Sequence, residues 1–215
     1  MKKSFLVIGL GRFGQHLTRK LVELGNEVMA VDTSEERIRT VMQVATSVEI
    51  GDCTRESVLD SLGVANYDVC FVCVGNDFQS SLVITDLLKE KHAQKVISRA
   101  SRDIQAKFLL RNGADEVIYP ERDFAERLAV RCAKSKVFNY MELTKSVSVY
   151  EIAVLPEWVG RTIRELDFRV QFHCSILAIK NGADTTALPP ADYRFAGSEH
   201  LMVFGRDSDV EKIVR

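Results

Sequence analysis

Six residues constrain this chain more than any others. Gly9-Leu10-Gly11-Arg12-Phe13-Gly14 follows the apolar run at 5–8 directly and opens an amphipathic stretch, so a G-x-G-x-x-G pattern sits where a strand turns into a helix. Each glycine has a distinct use there. Gly9 permits the tight turn, Gly11 lets backbone approach a phosphate, and Gly14 lets the helix lie close on the strand. The N–H groups at the helix start attract anions, so the loop is read as a phosphate cradle.

The rest of the first 136 residues agrees with that reading. Short β-branched runs at 4–9, 27–32, 46–52, 68–75, 95–100 and 115–120 alternate with helix-like segments near 12–24, 34–43, 54–62, 77–91, 102–112 and 121–136. Gly25, Gly63 and Gly113 fall where helices end, as left-handed caps do. This rhythm predicts an α/β fold, a Rossmann-like doubly wound parallel sheet of six strands. After residue 136 the pattern changes to strands and turns, with Pro189-Pro190 marking a loop. The expected organisation is a nucleotide-binding domain at 1–136, a linker at 137–146 and a small α+β domain at 147–215.

The second half of the fingerprint is an acid at the end of the second strand. Asp32 stands eighteen residues beyond Gly14, where a carboxylate accepts ribose hydroxyls and repels a 2′-phosphate; Thr33-Ser34 supplies no arginine to accept one. Other candidates gather at strand ends: Asp52 and Cys53 after the third, Gly75-Asn76-Asp77 after the fourth, Arg99 after the fifth. Asp52 would meet an adenine amino group or cap the next helix; Arg99 would pair with phosphates or be a strand-end charge. Arg12 is a cation where a redox dinucleotide needs none, which suits a ligand with an extra terminal phosphate, against simple solvation at the surface. Glu121 and Asp123 would complex a divalent ion or favour a helix start.

Several classes are disfavoured. The 29 basic and 30 acidic residues are interleaved and give a net charge of −1, without the basic face of a nucleic-acid binder. No apolar run nears the roughly 20 residues that cross a bilayer, and five cysteines suit a reducing compartment, so a cytoplasmic protein is expected. Cys70 and Cys73 match C-x-x-C inside a strand-like run, where that spacing sends the thiols to opposite faces, as core groups. His16, His92, His173 and His200 show no metal spacing, no catalytic residue is legible, and no helix-turn-helix supports a redox-sensing transcription factor.

The segments "VIGLGRFG" (7–14), "AVD" (30–32), "GDCT" (51–54), "LGV" (62–64), "NGADEVIYPERD" (112–123) and "CSILAIK" (174–180) together resemble the RCK or KTN family, in particular the cytosolic KtrA/TrkA-type regulatory subunits of potassium uptake systems. The resemblance covers essentially the whole chain. It implies an RCK N-terminal and an RCK C-terminal domain, dimers assembling into an octameric ring, and a membrane-embedded potassium channel or transporter partner of the KtrB/TrkH kind. The ring would bind ATP, ADP or NAD(H) and change shape with the ligand, with no catalysis. Carried over by position, Gly9, Gly11, Arg12, Phe13, Gly14, Asp32, Asp52, Cys53, Gly75, Asn76 and Arg99 would form the nucleotide site. Arg12 would sense the terminal phosphate across a subunit interface, and Glu121 would bind a divalent cation, Mg or Ca, between subunits. Some members bind cyclic di-AMP in the second domain, which places Arg169, Ser175, Ile176, Leu177 and Pro189 as candidates; Gln171 and His173 depart from the expected pattern.

The rival is an NAD-dependent oxidoreductase with the same fingerprint. It needs an acid or base beside the nicotinamide, and the roughly 70 residues after the sheet hold no obvious pair.

Overall fold

The computed structural model describes residues 2–133 and 136–214 and divides into two compact units, Met1–Glu121 and Arg122–Arg215. In the first, the strands β1 (Ser4–Ile8), β2 (Glu27–Asp32), β3 (Ser47–Ile50), β4 (Val69–Val72), β5 (Val96–Arg99) and β6 (Glu116–Ile118) form one parallel sheet in the order β3-β2-β1-β4-β5-β6. The helices α1 (Arg12–Glu23), α2 (Glu35–Arg39), α3 (Glu56–Leu62), α4 (Phe78–Glu90) and α5 (Asp103–Arg111) alternate with them, and α6 (Pro120–Ala133) follows β6.

Apolar cover on both faces explains why β1 reads as a continuous apolar run. Phe5 and Val7 join Val28, Ala30, Ile38 and Cys73 in one core cluster, while Leu6 and Ile8 join Val31, Leu59, Cys70 and Leu88 in another. The pleat thus splits alternate residues between two cores, and the thiols of Cys70 and Cys73 go to opposite faces as expected. Burial pushes both thiols up to about 12, which keeps them protonated at neutral pH. Gly25, Gly63 and Gly113 all have positive φ at or just past helix ends.

The strand order reverses between β1 and β4. Crossovers leave on one side to β2 and β3 and on the other to β5 and β6, so the loops after β1 and β4 part and leave a cleft at the carboxyl ends of the strands.

The second unit carries an antiparallel sheet of β7 (Val137–Thr144), β8 (Val147–Ala153), β9 (Ser175–Asn181), β10 (Asp184–Ala187) and β11 (His200–Arg206) in the order β10-β9-β11-β8-β7. Helices α7 (Ile163–Leu166), α8 (Phe168–Phe172) and α9 (Asp207–Val214) belong to it. Residues 137–144, expected within a linker, form β7 and pair with β8 over its length. The reason is that β7 is an edge strand: Phe138, Met141 and Leu143 are exposed, so its pattern lacks the alternation of a half-buried strand. Trp158 packs with Phe168 and Phe172 at ring-centroid distances of 5.3 and 5.4 Å, forming the aromatic part of this core.

Glu199 is a buried carboxylate that fastens the loop before β11. It accepts hydrogen bonds from the backbone N–H groups of Ala196 (2.7 Å) and Gly197 (2.6 Å) and from the Tyr193 hydroxyl (3.1 Å). Burial opposes its ionisation, but those donors outweigh burial and hold the carboxyl below its ordinary value. Glu199→Ala orphans them, at about 1–3 kcal/mol for a buried unpaired group. We expect the variant to lose at least about 2 kcal/mol in urea unfolding followed by Trp158, the single tryptophan. Because the folded carboxyl has the lower pKa, this contribution is present above about pH 4.3 and lost as pH falls through the folded value. The gap between wild type and variant therefore narrows in acid.

Candidate functional site

The cleft at the sheet's switch point has a volume of about 890 Å³, within the range of ligand sites, and all of its lining lies in the first unit. Its floor is the glycine loop. Gly9 leaves β1 at φ +93°, and its N–H is held by the Val31 carbonyl at 2.8 Å. Gly11 is the N-cap of α1, with no side-chain cap bond, and an added Cβ there would meet nothing within 4 Å. The intrahelical bonds begin with Gln15 N–H donating to the Gly11 carbonyl, so the amides just before it point out of the helix without partners in it. Gly14 does not line the cleft; a Cβ on it would collide with the Gly9 carbonyl oxygen, so glycine is what lets α1 sit against the turn.

Asp32, at the end of β2, is buried. Its Oδ2 accepts from Leu10 N–H at 2.6 Å and its Oδ1 from Ser34 N–H at 2.9 Å, so the carboxylate ties the glycine loop to the end of β2. Arg37 Nη1 lies 3.5 Å from Oδ2. Asp52 accepts from the Thr54 hydroxyl at 2.6 Å and from Thr54 N–H at 3.0 Å, and that hydroxyl chiefly holds its carboxyl below the ordinary range. Its side chain does not cap α3, whose N-cap is Arg55, so the capping role considered for Asp52 is replaced by a turn closed on Thr54. Cys53 lines the cleft as a buried thiol, pushed up by burial to about 12. Asp77 caps α4 through Ser80 N–H at 3.1 Å, with Gly75 and Asn76 beside it along the wall.

Arg99 crosses the mouth of β5. It forms an ion pair with Glu121, its guanidinium carbon stands 6.0 Å from the centre of the Phe13 ring, and its Nε is buried without a hydrogen-bond partner. A Cβ on Gly75 would strike the Arg99 guanidinium, so glycine there leaves the arginine its path. Arg12 lines the same cleft. Of the residues expected in the nucleotide site, Gly9, Gly11, Arg12, Phe13, Asp32, Asp52, Cys53, Gly75, Asn76 and Arg99 all line this one cleft, and Gly14 supports it from behind.

The other candidates fare differently. Glu121 lines the cleft but is engaged by Arg99, and Asp123 lies 3.3 Å from Arg122, so each of these acids faces an arginine. Among the described residues no group of three or more His, Cys, Asp or Glu could hold a metal ion. In the second unit, Ser175, Ile176 and Leu177 lie on β9, and Leu188 N–H donating to the Leu177 carbonyl at 2.8 Å brings Pro189 near them. Arg169 lies exposed on α8. A recess of about 510 Å³ in this unit is lined by Trp158, Arg161, Gln171 and Lys212 among others and includes none of those five residues.

Arg37 and Gln15 line the cleft and were not singled out from the sequence. Gln15 Nε2 donates to the Leu10 carbonyl at 2.9 Å, a second brace on the loop. The signal for Arg37 was available: Ser34 caps α2, and one turn of that helix returns position 37 to the end of β2.

The TrkA-N domain model matches residues 5–120 and the TrkA-C domain model residues 148–215. Ktr system potassium uptake protein C of Bacillus subtilis (strain 168) is 37% identical over 212 residues, which span 99% of this chain and 96% of the relative. Ktr system potassium uptake protein A of the same organism is 33% identical over 210 residues, 98% of this chain and 95% of the relative. Among solved structures, the GsuK channel aligns with a TM-score of 0.73 at 18% identity, covering 99% of this chain and 39% of that one. This chain therefore spans well under half of the channel chain, and the likeness is one of fold. The Kef C-terminal domain of Shewanella denitrificans, in an AMP-bound form, aligns with a TM-score of 0.53 at 25% identity over 60% of this chain and 78% of that one.

Proposed function

The chain belongs to the family that joins a TrkA-N domain to a TrkA-C domain, and from that membership we propose that it is a nucleotide-binding regulatory subunit of a potassium uptake system. The observation that carries this reading is the full-length likeness to the Ktr system proteins, in which both domains take part. Among the described residues no helix is long and apolar enough to cross a membrane. Ion passage, as we read it, belongs to a separate membrane-embedded subunit, a partnership suggested by the likeness to the Ktr system proteins. In our reading this chain works at the cytoplasmic face on that subunit, as dimers closed into an octameric ring.

The ligand we propose is an adenine nucleotide, ATP or ADP, or NAD(H). Its phosphates would sit before the N-terminus of α1, with Arg12 and Arg99 as the nearby cations, and its ribose would face Asp32. Gating requires a nucleotide to bind two ring shapes unequally; equal affinity for both shifts nothing. ATP and ADP differ by one terminal phosphate, so Arg12 and Arg99 are the groups that would read the difference. An added phosphate would also compete with Glu121 for Arg99. A divalent cation at Glu121 would need ligands from a second copy, and cyclic di-AMP in the second unit is a separate ligand, testable by calorimetry on the full chain. Neither carries the proposal.

We read the cleft as binding its ligand without chemistry, a reading supported by the full-length likeness to the Ktr system potassium uptake proteins.

Reconstitution with a membrane potassium-transport subunit in vesicles tests the proposal. Potassium uptake should differ severalfold between saturating ATP and ADP, and Arg12→Ala should erase the difference. Uptake indifferent to nucleotide would contradict gating, and robust hydride transfer to a small substrate would restore the oxidoreductase.

A further inference from the structure

A ribose-reading carboxylate ordinarily has both oxygens free for the ligand, whereas Asp32 lines the cleft with each oxygen already accepting a backbone N–H. Its side chain is 3% exposed, whereas that of Arg37 is 54% exposed. A carboxylate offers about four acceptor positions. Leu10 N–H takes one on Oδ2, Ser34 N–H takes one on Oδ1, and the Arg37 guanidinium lies against Oδ2. Two of the four positions are taken by amides, and the guanidinium 3.5 Å from Oδ2 crowds a third.

The charge presented at this end of the cleft is accordingly that of Arg37. Rejection of a 2′-phosphate rests on an open carboxylate, but here the carboxylate is buried, engaged by two amides and ion-paired at 3.5 Å with an arginine that itself lines the cleft. A guanidinium suits a phosphate monoester, offering paired N–H donors.

We propose that Arg37 reads the 2′ position of the adenosine ribose and that the site accepts 2′-phosphorylated adenosine nucleotides. Asp32 keeps one ribose hydroxyl and the glycine loop in place, while Arg37 takes the substituent on the neighbouring carbon. This rests on the nucleotide-binding reading and reverses one expectation drawn from the sequence, that the acid after β2 excludes a 2′-phosphate.

The test is a pair of probes that differ by that phosphate alone, AMP and adenosine 2′,5′-bisphosphate, titrated calorimetrically into the full chain. Wild type should bind the bisphosphate at least as tightly as AMP. Arg37→Ala should weaken the bisphosphate about tenfold or more relative to AMP, because the guanidinium pairs with the 2′-phosphate only in the bisphosphate, whereas its contact with Asp32 is common to both probes and cancels in the ratio. Arg37→Lys should recover part of the loss. Arg37 is exposed on a short surface helix, and a melting curve for each variant checks folding directly. Strong rejection of the bisphosphate by wild type, or an unchanged ratio in Arg37→Ala, overturns this proposal and leaves nucleotide binding standing. Binding of neither probe overturns both.

Discussion

Gly14→Val is expected to abolish nucleotide binding, raising the dissociation constant by more than about a hundredfold, and to destabilise the first unit by about 1–3 kcal/mol or more. The added Cβ would already collide with the Gly9 carbonyl oxygen, and that atom belongs to backbone, which cannot rotate away as a side chain can. Relief comes only from lifting α1 off the turn or distorting the turn, and either moves the helix N-terminus away from where phosphates would dock. Gly25→Ala is the control. It sits at φ +83° with nothing within 4 Å of an added Cβ, so backbone strain of about 1 kcal/mol should appear without loss of binding. Calorimetry with ATP and thermal melts of both variants would show the contrast. Tight binding by Gly14→Val would mean that close helix packing is not what builds the cradle.

Asp32→Ala carries the second large effect. Removing the carboxylate leaves the N–H groups of Leu10 and Ser34 without their acceptor, at about 1–3 kcal/mol for each group that stays buried. The glycine loop would also lose its tie to β2. Affinity for ATP should fall at least about tenfold, and the loss should extend to pyrophosphate, which has no ribose. That second readout separates the two jobs of the residue: a carboxylate acting only on ribose would leave pyrophosphate binding unchanged. Asp32→Asn, which keeps one acceptor oxygen, should fall between wild type and alanine in both measurements.

Much of the first unit was legible because its signals are local. The G-x-G-x-x-G loop, the strand that precedes it and the acid after β2 lie within one βαβ stretch, and fully buried parallel strands read as apolar runs whatever surrounds them. Convergence of Asp52, Gly75 and Arg99 on one cleft followed from a general property of such sheets, that strand ends meet at the switch point. Interactions set by register and packing were not legible. Arg99 meets Glu121 because β5 pairs with β6 so that Arg99 stands opposite Ile118, three residues before the acid. Nothing in the spacing of 99 and 121 announces that pair. Arg37 was overlooked although its return to Asp32 follows from the helix start at Ser34, because only the residues directly after β2 were read for a cation. In the second unit, β7 was hidden by its exposed apolar residues and Glu199 by its type, since an acid just after a Gly-Ser turn signal reads as solvated surface.

If the cleft after β1 holds an adenine nucleotide as a signal, calorimetric titration of the full chain with ATP and ADP, wild type beside Gly14→Val, should show it. Saturable binding of one nucleotide per chain is expected in wild type, with unequal affinities for ATP and ADP, and no measurable binding in the variant. Absence of saturable binding in wild type, or binding that survives unchanged in Gly14→Val, would contradict that reading.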